Sequence, residues 1–149
     1  MAKQYLQGKY TPKNPKKYRG DPTQVTYRSS WERKIMKWLD DHPTCIQWSS
    51  EEIVIPYYSP IDEKPHRYFV DFFAEFKTKE GSKKFLIEVK PDSQTRFPEK
   101  GNKKQKTFLT EAMTYAVNDA KWKAAKKFAQ ERGMEFIIIT EKELGIGKR

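Results

Sequence analysis

Three charged side chains stand where the pattern around them calls for hydrocarbon. Asp71 interrupts the run Tyr68, Phe69, Val70, Phe72, Phe73, and Glu88 and Lys90 interrupt Phe85, Leu86, Ile87, Val89. Glu88 and Lys90 share parity, so on a strand they point to one face. A charge buried in a sheet is costly unless something compensates it. Alone, Asp71 reads as a structural acid, at a bulge or paired with a nearby arginine such as Arg67. The connection "TKEGSK" alters that balance, because it reads as a hairpin with Gly81 at its turn. Antiparallel pairing about that turn opposes residues whose numbers sum to about 159–161, which sets Asp71 against the Glu88–Lys90 segment. Two carboxylates on neighbouring strands repel until one takes a proton or a cation bridges them. Lys90 balances only one of the two. Both carboxylates with the carbonyl of Val89 make a hard-oxygen donor set suited to Mg²⁺, which binds few protein oxygens and keeps its waters. The chemistry is then activation of a metal-bound water.

The elements that must position these groups can be read from the pattern. A first helix is predicted over Ser29–Asp41, ending before Pro43. Trp31, Ile35, Met36, Trp38 and Leu39 form its core arc, and Glu32 is the one charge inside that arc. Glu32 is either half of a capping box with Ser29 or a third carboxylate of the metal group. A strand is expected near Glu52–Tyr57, then strands over about Arg67–Phe76 and Lys84–Lys90. Residues 103–132 read as helix in two pieces that part at Asn118-Asp119, with Gly133 closing the second. "EFIIIT", residues 135–140, is apolar on both faces and is expected to be a central strand. The order α-β-β-β-α-α-β implies an α/β fold, a mixed sheet flanked by helices. Residues 1–28, with Pro12, Pro15, Pro22, Gly8 and Gly20, are expected as an extended basic arm before a single domain over 29–149.

The chain of 149 residues carries a net charge of +10. That excess favours a polyanionic partner. It is clustered: Lys3, Lys9, Lys13, Lys16, Lys17 and Arg19 precede the first acid, and Lys100, Lys103, Lys104 and Lys106 form a second run. Lys13, Lys16, Lys17, Arg19, Lys103 and Lys104, with His66 and Arg67 beside the Asp71 strand, are the candidate nucleic-acid contacts. No basic segment has a clean apolar face opposite it, which disfavours a membrane surface. No stretch approaches the ~18 apolar residues of a membrane span, and no apolar leader begins the chain. The single Cys45 excludes an internal disulfide, and a cytoplasmic protein is expected. Trp122, Ala125, Phe128 and Ala129 read as a core stripe rather than a base-stacking platform. Nothing resembles a zinc cluster, a Gly-rich phosphate loop or a Ser/His/Asp triad.

Asp71, sixteen residues, then Glu88-Val89-Lys90, with Glu32 on the preceding helix, resembles the PD-(D/E)xK nuclease superfamily. The helix-borne Glu32 is similar to the variant in TnsA-type transposon-end endonucleases and phage junction resolvases, and Val70 departs from the motif's proline. The stretches "GKYTPKNPKKYRGDPTQVTYRSSWERK", "SEEIVIPYYSPIDEKPHRYFVDF" and "FLIEVKP" resemble the head-completion nucleases of T4-like bacteriophages. The resemblance implies a restriction-endonuclease-like core of order α-β-β-β-α-β and metal-assisted phosphodiester hydrolysis leaving a 5′-phosphate and a 3′-hydroxyl. It implies Asp71 and Glu88 as Mg²⁺ ligands, with Mn²⁺ able to substitute, and Glu32 as a direct or water-mediated ligand. Lys90 would orient the attacking water and stabilise charge on the phosphorane, an electrostatic role. The implied partners are DNA and the capsid portal or neck proteins, in the host cytoplasm or associated with the virion. Many relatives act as dimers, so a homo-oligomer stays open, though no feature of the sequence forces one. The implied task is trimming packaged DNA ends. A non-catalytic protein that binds DNA ends, or a transposition or repair nuclease on the same core, stays open at this point.

Overall fold

The computed structural model describes residues 7–145; Lys3 of the basic N-terminal run lies outside them. The chain begins with two short strands, β1 (Gly8–Lys9) and β2 (Thr26–Tyr27), which pair with each other. Helix α1 (Ser30–Asp41) follows, then strands β3 (Cys45–Ser50), β4 (Val54–Tyr58), β5 (Pro65–Phe69), β6 (Phe72–Thr78) and β7 (Gly81–Val89). Helix α2 (Gln105–Glu131), strand β8 (Met134–Ile139) and helix α3 (Glu141–Leu144) complete the described chain.

The main sheet has four strands in the order β3-β6-β7-β8. β6 is antiparallel to both β3 and β7, and β8 runs parallel to β7. A parallel return needs a crossover, and α2 is that crossover. α1 lays Ile35, Met36 and Leu39 on the sheet face that carries Phe72, Ala74 and Ile87. α2 lays Trp122, Ala125 and Ala129 on the opposite face, against Phe73 and Leu86. The small residues four apart let that helix approach the sheet closely. The order α1-β3-β6-β7-α2-β8 is the expected α-β-β-β-α-β core, and the β4–β5 hairpin is inserted between its first two strands. No helix among the described residues is long and apolar enough to cross a membrane.

Several expectations need correction. The first core strand is β3, which the sequence pattern passed over; the strand expected near Glu52–Tyr57 is β4, in the separate hairpin. β3 hides its periodicity because its pairing with β6 shifts between Cys45 and Gln47, so inward and outward positions do not alternate. The single strand expected over Arg67–Phe76 is two, β5 and β6, parted at Val70-Asp71. α2 does not break at Asn118-Asp119: Asn118 is buried within it, and Asp119 pairs with Lys123 at 3.0 Å along its surface. β8 is at the edge of the four-stranded sheet rather than its centre. It is apolar on both sides because Phe136 and Ile138 meet one core cluster while Ile137 and Ile139 meet the other. Trp38 is 54% exposed rather than core, its ring resting on His42 and Phe76.

The N-terminal stretch packs on the body in its described part. Tyr18 and Val25 are buried in the α1-side core, and Tyr18 bridges Trp48 of β3. Its anchor is Asp40, which is 0% exposed although it lies outside the apolar arc of α1. That carboxylate accepts from the Tyr10 hydroxyl at 2.8 Å and from the amides of Lys13 at 2.7 Å and Asn14 at 3.1 Å. A buried carboxylate is tolerable because three donors replace its water.

Candidate active site

The hairpin register places the acids as the sequence implied. β6 and β7 pair Phe72 with Ile87, Phe73 with Leu86 and onward to Thr78 with Gly81, whose φ of 138° suits the turn. Asp71 stands one residue beyond the end of that ladder, where the chain passes from the β4–β5 hairpin into the main sheet. There the amide of Val89 donates to Asp71 Oδ2 at 2.8 Å. The Asp71 side chain thus takes over a donor on β7 just where β6 stops pairing. Glu88, 5% exposed, accepts from the Tyr68 hydroxyl through Oε1, and Lys90 Nζ lies 3.3 Å from its Oε2. The Lys90 amide donates to Ile139 at 3.0 Å, which pins the end of β7 to β8.

Glu32 sits in the first turn of α1. Ser29 caps that turn by accepting from the Glu32 amide at 3.2 Å, but the reciprocal bond of a capping box is absent. Glu32 Oε1 instead accepts from the amide of Arg28 at 2.9 Å. The carboxylate is therefore held at the entry to the helix, one residue earlier than a capping box would hold it.

The electrostatics show a site short of positive charge. Asp71 is raised well above the ordinary aspartate range, first by removal from water, then by Glu88 and Glu32; the Val89 amide and Lys90 act against this. Glu32 is also raised, first by burial, with Glu51 and Glu88 adding to it and Arg28 opposing. Burial and the charge of Glu88 push the Tyr68 hydroxyl up, so it remains a donor. Among the described residues no three His, Cys, Asp or Glu side chains converge as a ready-made metal cage. Asp71 and Glu88 are brought together with Lys90, and Glu32 reaches them through its field rather than by contact. A cation here would be held by few protein oxygens and its own water, the coordination Mg²⁺ favours and a zinc site does not. The donor chemistry and the uncompensated negative charge fit that ion.

The candidate nucleic-acid contacts are spread over three regions. Lys13, Lys16 and Arg19 are exposed on the N-terminal stretch, with Arg19 lying 5.2 Å over the Phe73 ring. Lys17 is engaged, its Nζ donating to the carbonyls of Asp40 at 2.9 Å and His42 at 2.8 Å, which caps the end of α1. His66 and Arg67 are exposed on β5, His66 bonded to Asp62 at 2.8 Å and Arg67 over the Phe69 ring. Lys103 pairs with Glu111 at 2.6 Å, and Lys104 occupies the N-cap position of α2 with its side chain in solvent. None of these eight hydrogen-bonds Glu32, Asp71 or Glu88.

Sequence reasoning missed Tyr68 as the donor to Glu88. The signal was available, since a buried tyrosine hydroxyl needs a partner and Tyr68 lies three residues before Asp71. It also missed Arg28 and Glu51, whose relation to Glu32 and Asp71 depends on a turn that no motif marks.

A mixed sheet between two helices, with Asp71 at the head of one strand and Glu88 and Lys90 at the foot of the next, defines a restriction-endonuclease-like nuclease. The family described as TnsA-like endonuclease N terminal matches residues 42–141, and the chain belongs to it. The match includes Asp71, Glu88 and Lys90, while Glu32 precedes it. The chain is also similar to the head completion nuclease of Enterobacteria phage T4, at 45% identity over 138 residues that cover 90% of each protein. No solved structure matches it.

Proposed function

We propose that this endonuclease is a Mg²⁺-dependent deoxyribonuclease that acts on packaged phage DNA ends during head completion. The carrying observation is the Asp71 carboxylate on the Val89 amide, set against Glu88 and Lys90. Asp71, Glu88 and the Val89 carbonyl would hold the ion, and Glu32 would bind through water. When bound, Mg²⁺ supplies a Lewis acid and a more acidic water. Lys90 places a positive charge beside Glu88, where charge builds on the phosphorane. The Tyr68 hydroxyl and the Val89 amide each hold one of the two carboxylates in place. A protein that only binds DNA ends has no use for buried acids in surplus, which favours the catalytic reading. The head-completion setting is carried over from the name of the phage T4 relative, and in this reading the protein works in the host cytoplasm or on the virion, with portal or neck proteins and DNA as partners.

The test is nicking of supercoiled plasmid. Activity is expected with Mg²⁺ or Mn²⁺, absent in EDTA, and abolished by Asp71→Ala with unchanged far-UV circular dichroism. Cleavage that persists in EDTA or in the folded variant would refute the proposal.

A further inference from the structure

Glu51, between β3 and β4, has a φ of 58°. That left-handed backbone is one a non-glycine residue rarely adopts. A turn that needed only this conformation would be served by glycine or asparagine. The glutamate makes two connections there. Its amide donates to the backbone carbonyl of Asp71 at 3.1 Å, and its carboxylate takes the guanidinium of Arg28. The amide of Arg28 in turn donates to Glu32 Oε1 at 2.9 Å. Glu32, Arg28, Glu51 and Asp71 therefore form a continuous chain of contacts from the helix entry to the strand entry.

The position of this chain matters because its ends lie on separate elements. α1 rests on the sheet through Ile35, Met36 and Leu39, all beyond its first turn. Nothing in that packing fixes the first turn against Asp71. The Arg28–Glu51 pair does. It also puts a fourth carboxylate near Glu32, an arrangement that costs stability unless the arginine offsets it. The Glu51 side chain is 29% exposed and that of Arg28 62%, so the pair lies at the rim of the site.

We infer that Arg28 and Glu51 are positioning residues that hold Glu32 in register with Asp71 and Glu88. The inference rests on the metal-dependent nuclease reading above. The pair touches neither the ion nor the reacting phosphate, and acts through the placement of the ligands.

Glu51→Gly suits the test because glycine accepts the same φ, so the fold is kept while the carboxylate is lost. Glu51→Gln and Arg28→Ala are its companions, with circular dichroism as the control for folding. Binding of Mn²⁺ by titration calorimetry in the absence of DNA is measured with kcat and KM on plasmid. Each single variant is expected to weaken Mn²⁺ binding by about tenfold and lower kcat, the scale seen when a ligand loses its outer support. KM for DNA should not move. The double variant Arg28→Ala/Glu51→Gly should be no worse than either single one, because one bridge is broken once. Unchanged Mn²⁺ affinity in folded Glu51→Gly, a loss confined to KM, or losses that multiply in the double variant would overturn the inference. A wild-type protein that neither binds Mn²⁺ nor cuts DNA would instead overturn the nuclease reading.

Discussion

Neutralising Asp71 should stabilise the metal-free protein while abolishing its activity. In Asp71→Asn the amide oxygen still accepts from the Val89 amide, and the charge that Glu88 repels is removed. At an effective dielectric of about 20, two unit charges on neighbouring strands about 5 Å apart repel by about 3 kcal/mol. Lys90 attracts the same carboxylate, which leaves a net gain of about 2 kcal/mol. For a chain of this size that raises the melting temperature by about 4–8 °C.

The pH dependence follows from the raised folded-state value of Asp71. A carboxyl raised on folding contributes stability that is complete below its unfolded value and is lost as pH rises through the folded one. The contribution of Asp71 to wild-type stability in EDTA should therefore grow on acidification. The advantage of Asp71→Asn should shrink over the same interval, because the wild-type group is then neutral as well. Saturating Mg²⁺ should reverse the order, since a ligand at a hundred times its Kd adds about 2.7 kcal/mol to the protein that binds it. The assay is differential scanning calorimetry at neutral and acidic pH, with EDTA or Mg²⁺. A variant less stable than wild type in EDTA at neutral pH, or an advantage that persists at acidic pH, would refute the charge-repulsion account.

Other substitutions probe the remaining parts of the site and its frame. Tyr68→Phe keeps the ring but leaves Glu88 without its buried donor, so a loss of about 1.5–3 kcal/mol is expected in urea melts, with a fall in kcat. Lys90→Met should lower kcat by about 10²–10³ while a filter-binding assay shows DNA affinity little changed. Asp40→Ala should cost about 3 kcal/mol or more, because it strands the Tyr10 hydroxyl and the amides of Lys13 and Asn14. The same variant should open residues 10–20 to proteolysis before the rest of the chain, which limited digestion would show.

What the sequence made legible is what local pattern controls. The first helix, the β6–β7 hairpin and the meeting of Asp71 with Glu88 follow from apolar periodicity and one turn, and the observed pairing of Phe72 with Ile87 is within the predicted register. Contacts set by the fold were not legible. β3 carries a register shift, so its alternation fails where it would be read. The unbroken α2 overrides a weak local signal at Asn118, because the sheet and the β4–β5 hairpin support the helix on both sides of that residue. Asp40 looked like surface because its three donors come from about thirty positions earlier in the chain.

The break at Val70-Asp71 ties these observations to function. A single strand from Arg67 to Phe76 would have paired Asp71 into the ladder with its side chain fixed to one face. Instead the Val70 amide donates to Ile53 of the hairpin side, and Asp71 falls between two sheets. Its carboxylate reaches Val89 on β7, while Tyr68, three residues earlier on β5, reaches Glu88. The inserted hairpin therefore supplies both the bend that frees one acid and the donor that fixes the other. One residue later the carboxylate would lie on β6, paired opposite Ile87, and one residue earlier it would replace the buried Val70, whose amide is tied to Ile53. The carboxylate raised by burial and by Glu88 is thus held by the same irregularity that keeps it off the paired strands, where the proposed metal would need it.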